Sequence, residues 1–146
     1  YLKKLLLPLC TLVTPNIPEA EVLTGYSIST KEDMIKAAKK ILNMGSKNVL
    51  LKGGHFKNKM IFDILVTKKK IKVFEKIKIR TKNTHGTGCT LSSALATYLS
   101  QRKNIYNSCK MSLRYVDEAI TYAPGYGKGF GPLNHLISFN LKNINE

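Results

Sequence analysis

The sequence predicts an α/β fold in which a mostly parallel sheet is flanked by helices and carries an antiparallel hairpin. Short, β-branched apolar runs alternate with longer segments of helical spacing, which is typical of parallel α/β sheets. Two further apolar runs flank three lysines and show the alternation of a hairpin. The chain has 146 residues and is 43% apolar, enough for the core of an ordinary domain.

The first half of the sequence predicts two strands and two helical segments. Residues 10–16 form an apolar, β-branched run that should be a buried strand ended by Pro15. Residues 19–23 suggest a brief helical turn before Gly25. A longer helix runs from the capping pair Thr30 and Asp33 to Gly45, and residues 48–52 form a second buried strand. The apolar stripe of the longer helix comprises Met34, Ile35, Ala38, Ile41 and Leu42.

The second half begins with the predicted hairpin, whose strands flank residues 68–70. A helix is expected over residues 89–100, and Asn104 should cap another that runs to about Tyr122. Residues 123–132 are rich in Gly and Pro and predict a loop. The last residues suggest a short helix and a polar tail.

The charge of the chain is strongly positive, with 24 Lys and Arg against nine Asp and Glu and a formal net charge of +15. Of these 24 residues, 21 are Lys, and the Lys residues are scattered along the chain. Proteins that recognise bases and phosphates favour Arg for its bidentate geometry. We therefore interpret the excess as a solvated surface rather than a nucleic-acid interface.

Three cysteines, Cys10, Cys89 and Cys109, are widely spaced and include no Cys-x-x-Cys pair. This pattern does not indicate a disulfide framework or a zinc site, and a reducing, cytoplasmic setting fits it better. No apolar run approaches the roughly 18 residues that a membrane span requires, so no membrane partner is expected.

The stretch HGTGC, residues 85–89, combines glycines with the start of a predicted helix. Glycines allow backbone N–H groups to converge on an anion, and a helix N-terminus adds unpaired N–H groups and a positive dipole end. The same field favours the thiolate of Cys89, which would suit a base or a nucleophile. The alternative is a glycine-rich turn followed by a small packed cysteine, and this motif alone does not separate the two.

Asn16 and Glu19 follow the first predicted strand and lie three residues apart. A carboxylate there could hold Mg²⁺ directly or through water, since Mg²⁺ uses few carboxylates and keeps several waters. The same pair makes a capping box with Pro18 in the first turn, and this simpler interpretation is favoured for the pair alone. Both roles can hold at once.

Two lysines lie beside glycines: Lys52 ends the second predicted strand, and Lys128 lies within GYGKGFG. Each could place a positive charge on a phosphate, and the alternatives are an ordinary exposed lysine and a flexible loop. His55, His85 and His135 lack metal-binding spacing and are interpreted as ordinary polar or loop residues. An anion nest, a Mg²⁺ carboxylate, two lysines and a base are together the components of phosphoryl transfer.

Four stretches resemble, in order and spacing, the C-terminal half of bacterial hydroxymethylpyrimidine/phosphomethylpyrimidine kinases: TPNIPEAEVLTG, VLLKGGH, TKNTHGTGCTLSSALA and GKGFGPLNH. These enzymes of thiamine biosynthesis belong to the ribokinase superfamily. The resemblance implies a ribokinase-like fold and phosphorylation of 4-amino-5-hydroxymethyl-2-methylpyrimidine, then of its monophosphate, with ATP and Mg²⁺. The third stretch is highly specific, because most ribokinase relatives have Asp where this sequence has Cys89.

The resemblance also implies roles for individual residues. Cys89 matches the general base that activates the substrate hydroxyl. The backbone of the preceding residues matches the anion hole for the transferring phosphoryl group: Gly86, Thr87 and Gly88. Three positions match ATP- and phosphate-binding residues: Lys52, Thr84 and Lys128. Two match the element that organises Mg²⁺ and its waters: Asn16 and Glu19.

Members of this family are about twice as long as this sequence. Residues 1–146 are therefore expected to form the C-terminal half of a single ribokinase-like kinase domain, with the N-terminal half absent. That half, which carries most of the pyrimidine pocket, is expected as a separate chain, or the chain forms a homo-oligomer. Two alternatives are a pyridoxal kinase-like enzyme and a non-catalytic half-domain that binds a nucleotide or a partner.

Overall fold

A computed structural model of the chain describes residues 1–54 and 59–137. The chain divides into two compact units, Tyr1–Lys78 and Ile79–Glu146. The predicted terminal tail and His55 lie outside the described residues. Within those residues, no helix is both long enough and apolar enough to cross a membrane.

The first unit contains two α-helices, α1 (Ile17–Thr24) and α2 (Lys31–Asn43), which follow a π-helical turn and a 3₁₀ turn at Leu2–Leu6 and Leu7–Leu9. Thr30 caps α2 in a reciprocal capping box with Asp33, as the sequence predicts. Gly45 follows the end of α2 with φ of +115°, a conformation that favours glycine. The predicted limits of this helix are confirmed.

A three-stranded antiparallel sheet follows in the order β1 (Asn48–Leu51), β2 (Met60–Thr67) and β3 (Ile71–Ile77). Ile64 pairs with Leu51 on one side and with Val73 on the other, which fixes the register of all three strands. The α/β class and the predicted antiparallel hairpin are confirmed. The sheet is not mostly parallel as predicted: in the described residues both strand pairs are antiparallel, and parallel pairing with β1 is limited to isolated bridges.

Residues 10–16 do not form the regular strand that the sequence predicts. They run parallel to β1 and touch it through isolated bridges at Val13 and Asn16. The Val13 N–H donates to the Asn48 carbonyl at 3.1 Å, and the Leu50 N–H donates to the Val13 carbonyl at 2.8 Å. Pro15 has no N–H to extend this ladder, so only a short parallel pairing forms.

The core of this unit lies between α2 and the sheet. Its strand residues alternate along β1 and β2 and therefore point to one face: Val49, Leu51, Ile64 and Val66. Its α2 residues are fully buried at helical spacing: Met34, Ala37, Ala38 and Ile41. Ile35 and Leu42, predicted for the same stripe, pack at the edge of this core and are half-buried.

The second unit contains α3 (Thr87–Ser100) and α4 (Ile105–Thr121), which pack against each other. Asn104 caps α4 through its side chain, as predicted. Helix α3 begins at Thr87, two residues before the predicted start at residue 89, so Cys89 lies inside its first turn. A small apolar cluster joins α4 to the chain that follows it: Ala119, Leu133 and Ile137.

Candidate active site

In the first unit, Asn16 and Glu19 close the N-terminus of α1. The Glu19 N–H donates to Asn16 Oδ1 at 2.9 Å, and the Asn16 N–H donates to Glu19 Oε2 at 2.7 Å. The capping-box interpretation is therefore confirmed. Glu19 is exposed, and its second carboxylate oxygen accepts no hydrogen bond from the described part of the chain. That oxygen suits a hydrated cation, so the pair fits a Mg²⁺ ion that keeps most of its waters.

Lys52 lies beside this helix start. Its N–H donates to the Pro15 carbonyl at 2.9 Å, and it pairs with Asn16 in a parallel bridge. The fold thus brings Asn16, Glu19 and Lys52 together, although residues 16 and 52 are far apart in sequence. A lysine and a carboxylate of this kind can face a magnesium–phosphate group.

The turn after Lys52 depends on a buried carboxylate that the motif analysis missed. Asp63 is 3% exposed, and its Oδ1 accepts a hydrogen bond of 3.0 Å from the Gly53 N–H. Its Oδ2 lies 3.5 Å from Lys76 Nζ. A Cβ on Gly53 would meet the Phe62 carbonyl oxygen, so only glycine fits. The available signal was an acidic residue in the middle of the apolar run IFDILVT.

In the second unit, the N-terminus of α3 is formed by Gly86, with φ of +85° and no side-chain cap. Thr87, Gly88 and Cys89 are its first three residues. At an uncapped helix N-terminus, the first backbone N–H groups have no partner within the helix and remain available to a ligand. The Thr87 N–H does make a long contact of 3.4 Å with the Thr84 carbonyl outside the helix. This end of the helix can receive an anion.

Cys89 is the exposed thiol of the three cysteines. Cys109 is fully buried, and burial raises the pKa of its thiol to about 12, so it stays protonated and unreactive at neutral pH. Cys10 is half-buried and its thiol donates to the Leu6 carbonyl at 3.3 Å. Accessibility therefore favours Cys89 as the reactive thiol.

The loop that carries Lys128 attaches to the segment before α3. The His85 N–H donates to the Gly131 carbonyl at 3.3 Å, and Lys82 Nζ donates to the Lys128 carbonyl at 3.3 Å. Lys128 itself is exposed, as is Thr84. The second unit thus brings the loop of Lys128 together with the segment from Thr84 to Cys89.

A cavity of about 650 Å³ opens beside Cys89 along α3. The residues that line it include hydroxyl, aromatic and imidazole side chains: Cys89, Ser93, Thr97, Tyr98, Tyr115 and His135. The sequence analysis interpreted His135 as an ordinary polar or loop residue and did not identify Tyr115. Among residues 1–54 and 59–137, no group of three or more His, Cys, Asp or Glu side chains is arranged to hold a metal ion.

Comparison with known proteins places this geometry in context. The family model for phosphomethylpyrimidine kinase matches residues 1–134. The thiamine biosynthesis bifunctional protein ThiED of Geobacter sulfurreducens is 47% identical over 94% of this chain and 28% of its own length. The hydroxymethylpyrimidine/phosphomethylpyrimidine kinase of Bacillus subtilis is 39% identical over 99% of this chain, which spans 53% of that kinase.

A solved structure is also similar to this chain. It is the ADP complex of Bacillus subtilis pyridoxal kinase, which superposes with a TM-score of 0.89 and is 33% identical over 95% of this chain and 55% of its own. The chain therefore spans about half the length of the kinases that it resembles, and its architecture is that of a small-molecule kinase.

Proposed function

Because this chain belongs to the phosphomethylpyrimidine kinase family, we propose that it supplies the nucleotide-binding and catalytic half of a kinase. The donor is ATP with Mg²⁺. The acceptors are 4-amino-5-hydroxymethyl-2-methylpyrimidine and its monophosphate, in thiamine biosynthesis. In domain terms, residues 1–146 are the C-terminal half of one ribokinase-like kinase domain.

The observation that carries this proposal is the open N-terminus of α3, with Cys89 exposed in its first turn. In the proposed reaction, Cys89 as thiolate removes the proton of the substrate hydroxyl. The hydroxyl oxygen then forms a bond to the γ-phosphorus, and the bond from this phosphorus to ADP breaks. The N–H groups of Gly86, Thr87 and Gly88 stabilise the charge on the transferring phosphoryl group.

The other proposed roles are electrostatic. Mg²⁺, when bound, neutralises charge on the phosphates of ATP. Glu19 would hold the ion through its free carboxylate oxygen and water, while Asn16 orients Glu19 through the capping box. Lys52, Thr84 and Lys128 would contact the ATP phosphates.

A pyridoxal kinase-like specificity is the second candidate, because a solved pyridoxal kinase superposes closely on this chain. The curated relatives favour the pyrimidine alcohol, since the Geobacter and Bacillus proteins are named for thiamine biosynthesis and hydroxymethylpyrimidine phosphorylation. A coupled ADP assay with both alcohols in parallel separates the candidates. ATP binding without turnover of either alcohol, even with the other half of the kinase present, would instead support a non-catalytic half-domain.

We further expect the other half of the kinase to pack on residues 1–16. Cys10, Val13 and Pro15 form their backbone hydrogen bonds with residues 47–52, which comprise β1 and the residue on each side of it. Because backbone groups alternate in direction along an extended segment, we expect those of Leu12 and Thr14 to point to the opposite side. Among the described residues, no backbone hydrogen bond of Leu12 or Thr14 is present, and an extended segment with an unpaired edge invites another strand. Four leucines beside it are also exposed: Leu2, Leu5, Leu6 and Leu9.

Co-expression with the N-terminal half of the Bacillus subtilis kinase tests this packing. We expect the 146 residues alone to self-associate in light scattering and to show little ADP production, and the complex to be soluble and active. A monomer of the 146 residues with full kinase activity would contradict the proposal.

We place the activity in the cytoplasm, where free thiols such as those of Cys10, Cys89 and Cys109 persist.

A further inference from the structure

His135 contacts the start of α3, although it lies 45 residues beyond its partner in sequence. Its Nε2 is 3.0 Å from the hydroxyl of Thr90, a side chain that is only 7% exposed. The Tyr115 hydroxyl, on α4, donates to the His135 carbonyl at 2.8 Å. The first turn of α3 is thus linked through His135 to α4.

The direction of these hydrogen bonds follows from the number of hydrogens available. The Thr90 hydroxyl carries one hydrogen, and it donates this to the Gly86 carbonyl at 2.9 Å. It can therefore only accept from His135, whose Nε2 must carry the hydrogen. The chain of donors runs from the imidazole to Thr90 and from Thr90 to Gly86.

These hydrogen bonds end at the peptide between Gly86 and Thr87, which would face the phosphoryl group. The Gly86 carbonyl accepts twice, from the Thr90 hydroxyl and from the Thr90 N–H, both at 2.9 Å. Because a peptide unit is planar, holding this carbonyl also fixes the direction of the Thr87 N–H on the opposite side. That N–H makes a long contact of 3.4 Å with the Thr84 carbonyl, and in the proposed reaction a phosphoryl oxygen takes the place of this weak acceptor. Gly86 needs such a restraint, since a glycine at φ of +85° is conformationally free and no side chain caps this helix.

We propose that Thr90 and His135 are positioning residues that hold the peptide between Gly86 and Thr87 with its N–H toward the transferring phosphoryl group. Tyr115 positions His135 in turn. This inference rests on the proposed function, in which that N–H belongs to the anion hole. In this role the histidine and the threonine act through the peptide that they hold.

The test uses the complemented kinase with Thr90→Val, His135→Leu and the double variant. Valine keeps the shape of threonine without its hydroxyl. We expect kcat to fall about tenfold to a hundredfold, as a small misplacement of catalytic groups can cause, while the KM for ATP changes less than threefold. Thr90→Ser and His135→Gln retain a hydroxyl and an N–H donor respectively, and each should recover most of the rate.

The matched control is Thr121→Val, which removes a hydroxyl that donates to the Asp117 carbonyl at 2.8 Å near the end of α4. This variant should keep the wild-type rate. Because Thr90 and His135 act through one chain of bonds, the double variant should be no slower than the slower single variant. Wild-type kcat in both single variants, or losses that add as independent effects, would overturn the proposal.

A second measurement separates this inference from the proposed function. The backbone N–H of residue 90 donates to the Gly86 carbonyl. Hydrogen exchange of this amide should be at least several-fold faster in Thr90→Val and His135→Leu than in Thr121→Val. If the wild-type kinase neither turns over nor binds ADP, the proposed function fails, and exchange alone decides the positioning role. Unchanged exchange in both variants would overturn it.

Discussion

The N-termini of α1 and α3 are built in opposite ways. Helix α1 is closed by its own side chains, because Asn16 and Glu19 bond each other's backbone N–H groups. Helix α3 begins at a left-handed glycine, Gly86, has no side-chain cap and carries no acidic residue in its first turn. Among the four α-helices of the described residues, α3 alone lacks a side-chain cap.

The difference fits the two opposite ligand preferences proposed for this chain. The positive end of α1 is already balanced by the Glu19 carboxylate, and the spare oxygen of this carboxylate suits a cation. The positive end of α3 has no such partner and suits an anion. A reaction on a magnesium–nucleotide complex requires both kinds of site.

Removal of the Cys89 thiol is expected to have the largest effect. In the active kinase, Cys89→Ala should reduce turnover by roughly 10²–10⁴, the usual contribution of a general base, with little change in ATP affinity. Cys89→Asp should retain more activity, since a carboxylate can also accept the proton. Cys10→Ser is the matched control, and a coupled ADP assay measures all three. Near-wild-type turnover in Cys89→Ala would remove Cys89 from the mechanism.

Alanine substitutions of Gly53 and Gly86 should lower the unfolding free energy for different reasons. Gly53→Ala places a methyl group against the Phe62 carbonyl oxygen and should cost about 1–3 kcal/mol of unfolding free energy. Gly86→Ala meets no atom within 4 Å, so its cost should be the roughly 1–2 kcal/mol of a left-handed residue. Urea denaturation measures both, with Gly129→Ala as the control. Equal stability of Gly53→Ala and this control would show that the turn can relax.

Glu19→Gln separates the cap of α1 from its charge. Glutamine keeps an oxygen for the Asn16 N–H, so unfolding free energy should change by only a few tenths of a kcal/mol. The Mg²⁺ concentration for half-maximal rate should rise several-fold, because a carboxylate near the ion is lost. Asn16→Ala is the complementary variant and should cost about 1 kcal/mol of stability. An unchanged Mg²⁺ dependence in Glu19→Gln would leave Glu19 as a capping residue only.

The smallest expected effect concerns the capping box of α2. The Thr30 side chain, followed by the Ser29 N–H, lowers the pKa of Asp33 below its ordinary value. A lowered folded pKa means that the contribution of Asp33 to stability is present above the unfolded value of about 3.9 and is lost as pH falls through the folded value. Thermal unfolding of Asp33→Asn should therefore depend less on pH below about 4 than that of the wild type. Identical pH profiles would contradict this.

Much of the fold could be predicted because its signals are local. The side chains of Asn16, Thr30 and Asn104 each cap a helix by accepting from the N–H three residues on, and all three caps are present. The hairpin follows from alternation on either side of a short turn. The roles of Cys89, Lys52 and Lys128 come from motifs and family resemblance, and they stay predictions until they are tested.

The sequence by itself therefore determined the four α-helices, the hairpin and the motifs, because each depends on neighbours along the chain. It did not predict the helical turns at Leu2–Leu6 and Leu7–Leu9. Tertiary structure alone decided that residues 10–16 touch β1 only at short bridges, that Asp63 holds the Gly53 turn, and that His135 reaches Thr90. The last two hydrogen bonds join groups 10 and 45 residues apart. No local pattern specifies such partners, since their distance is set by how the elements pack.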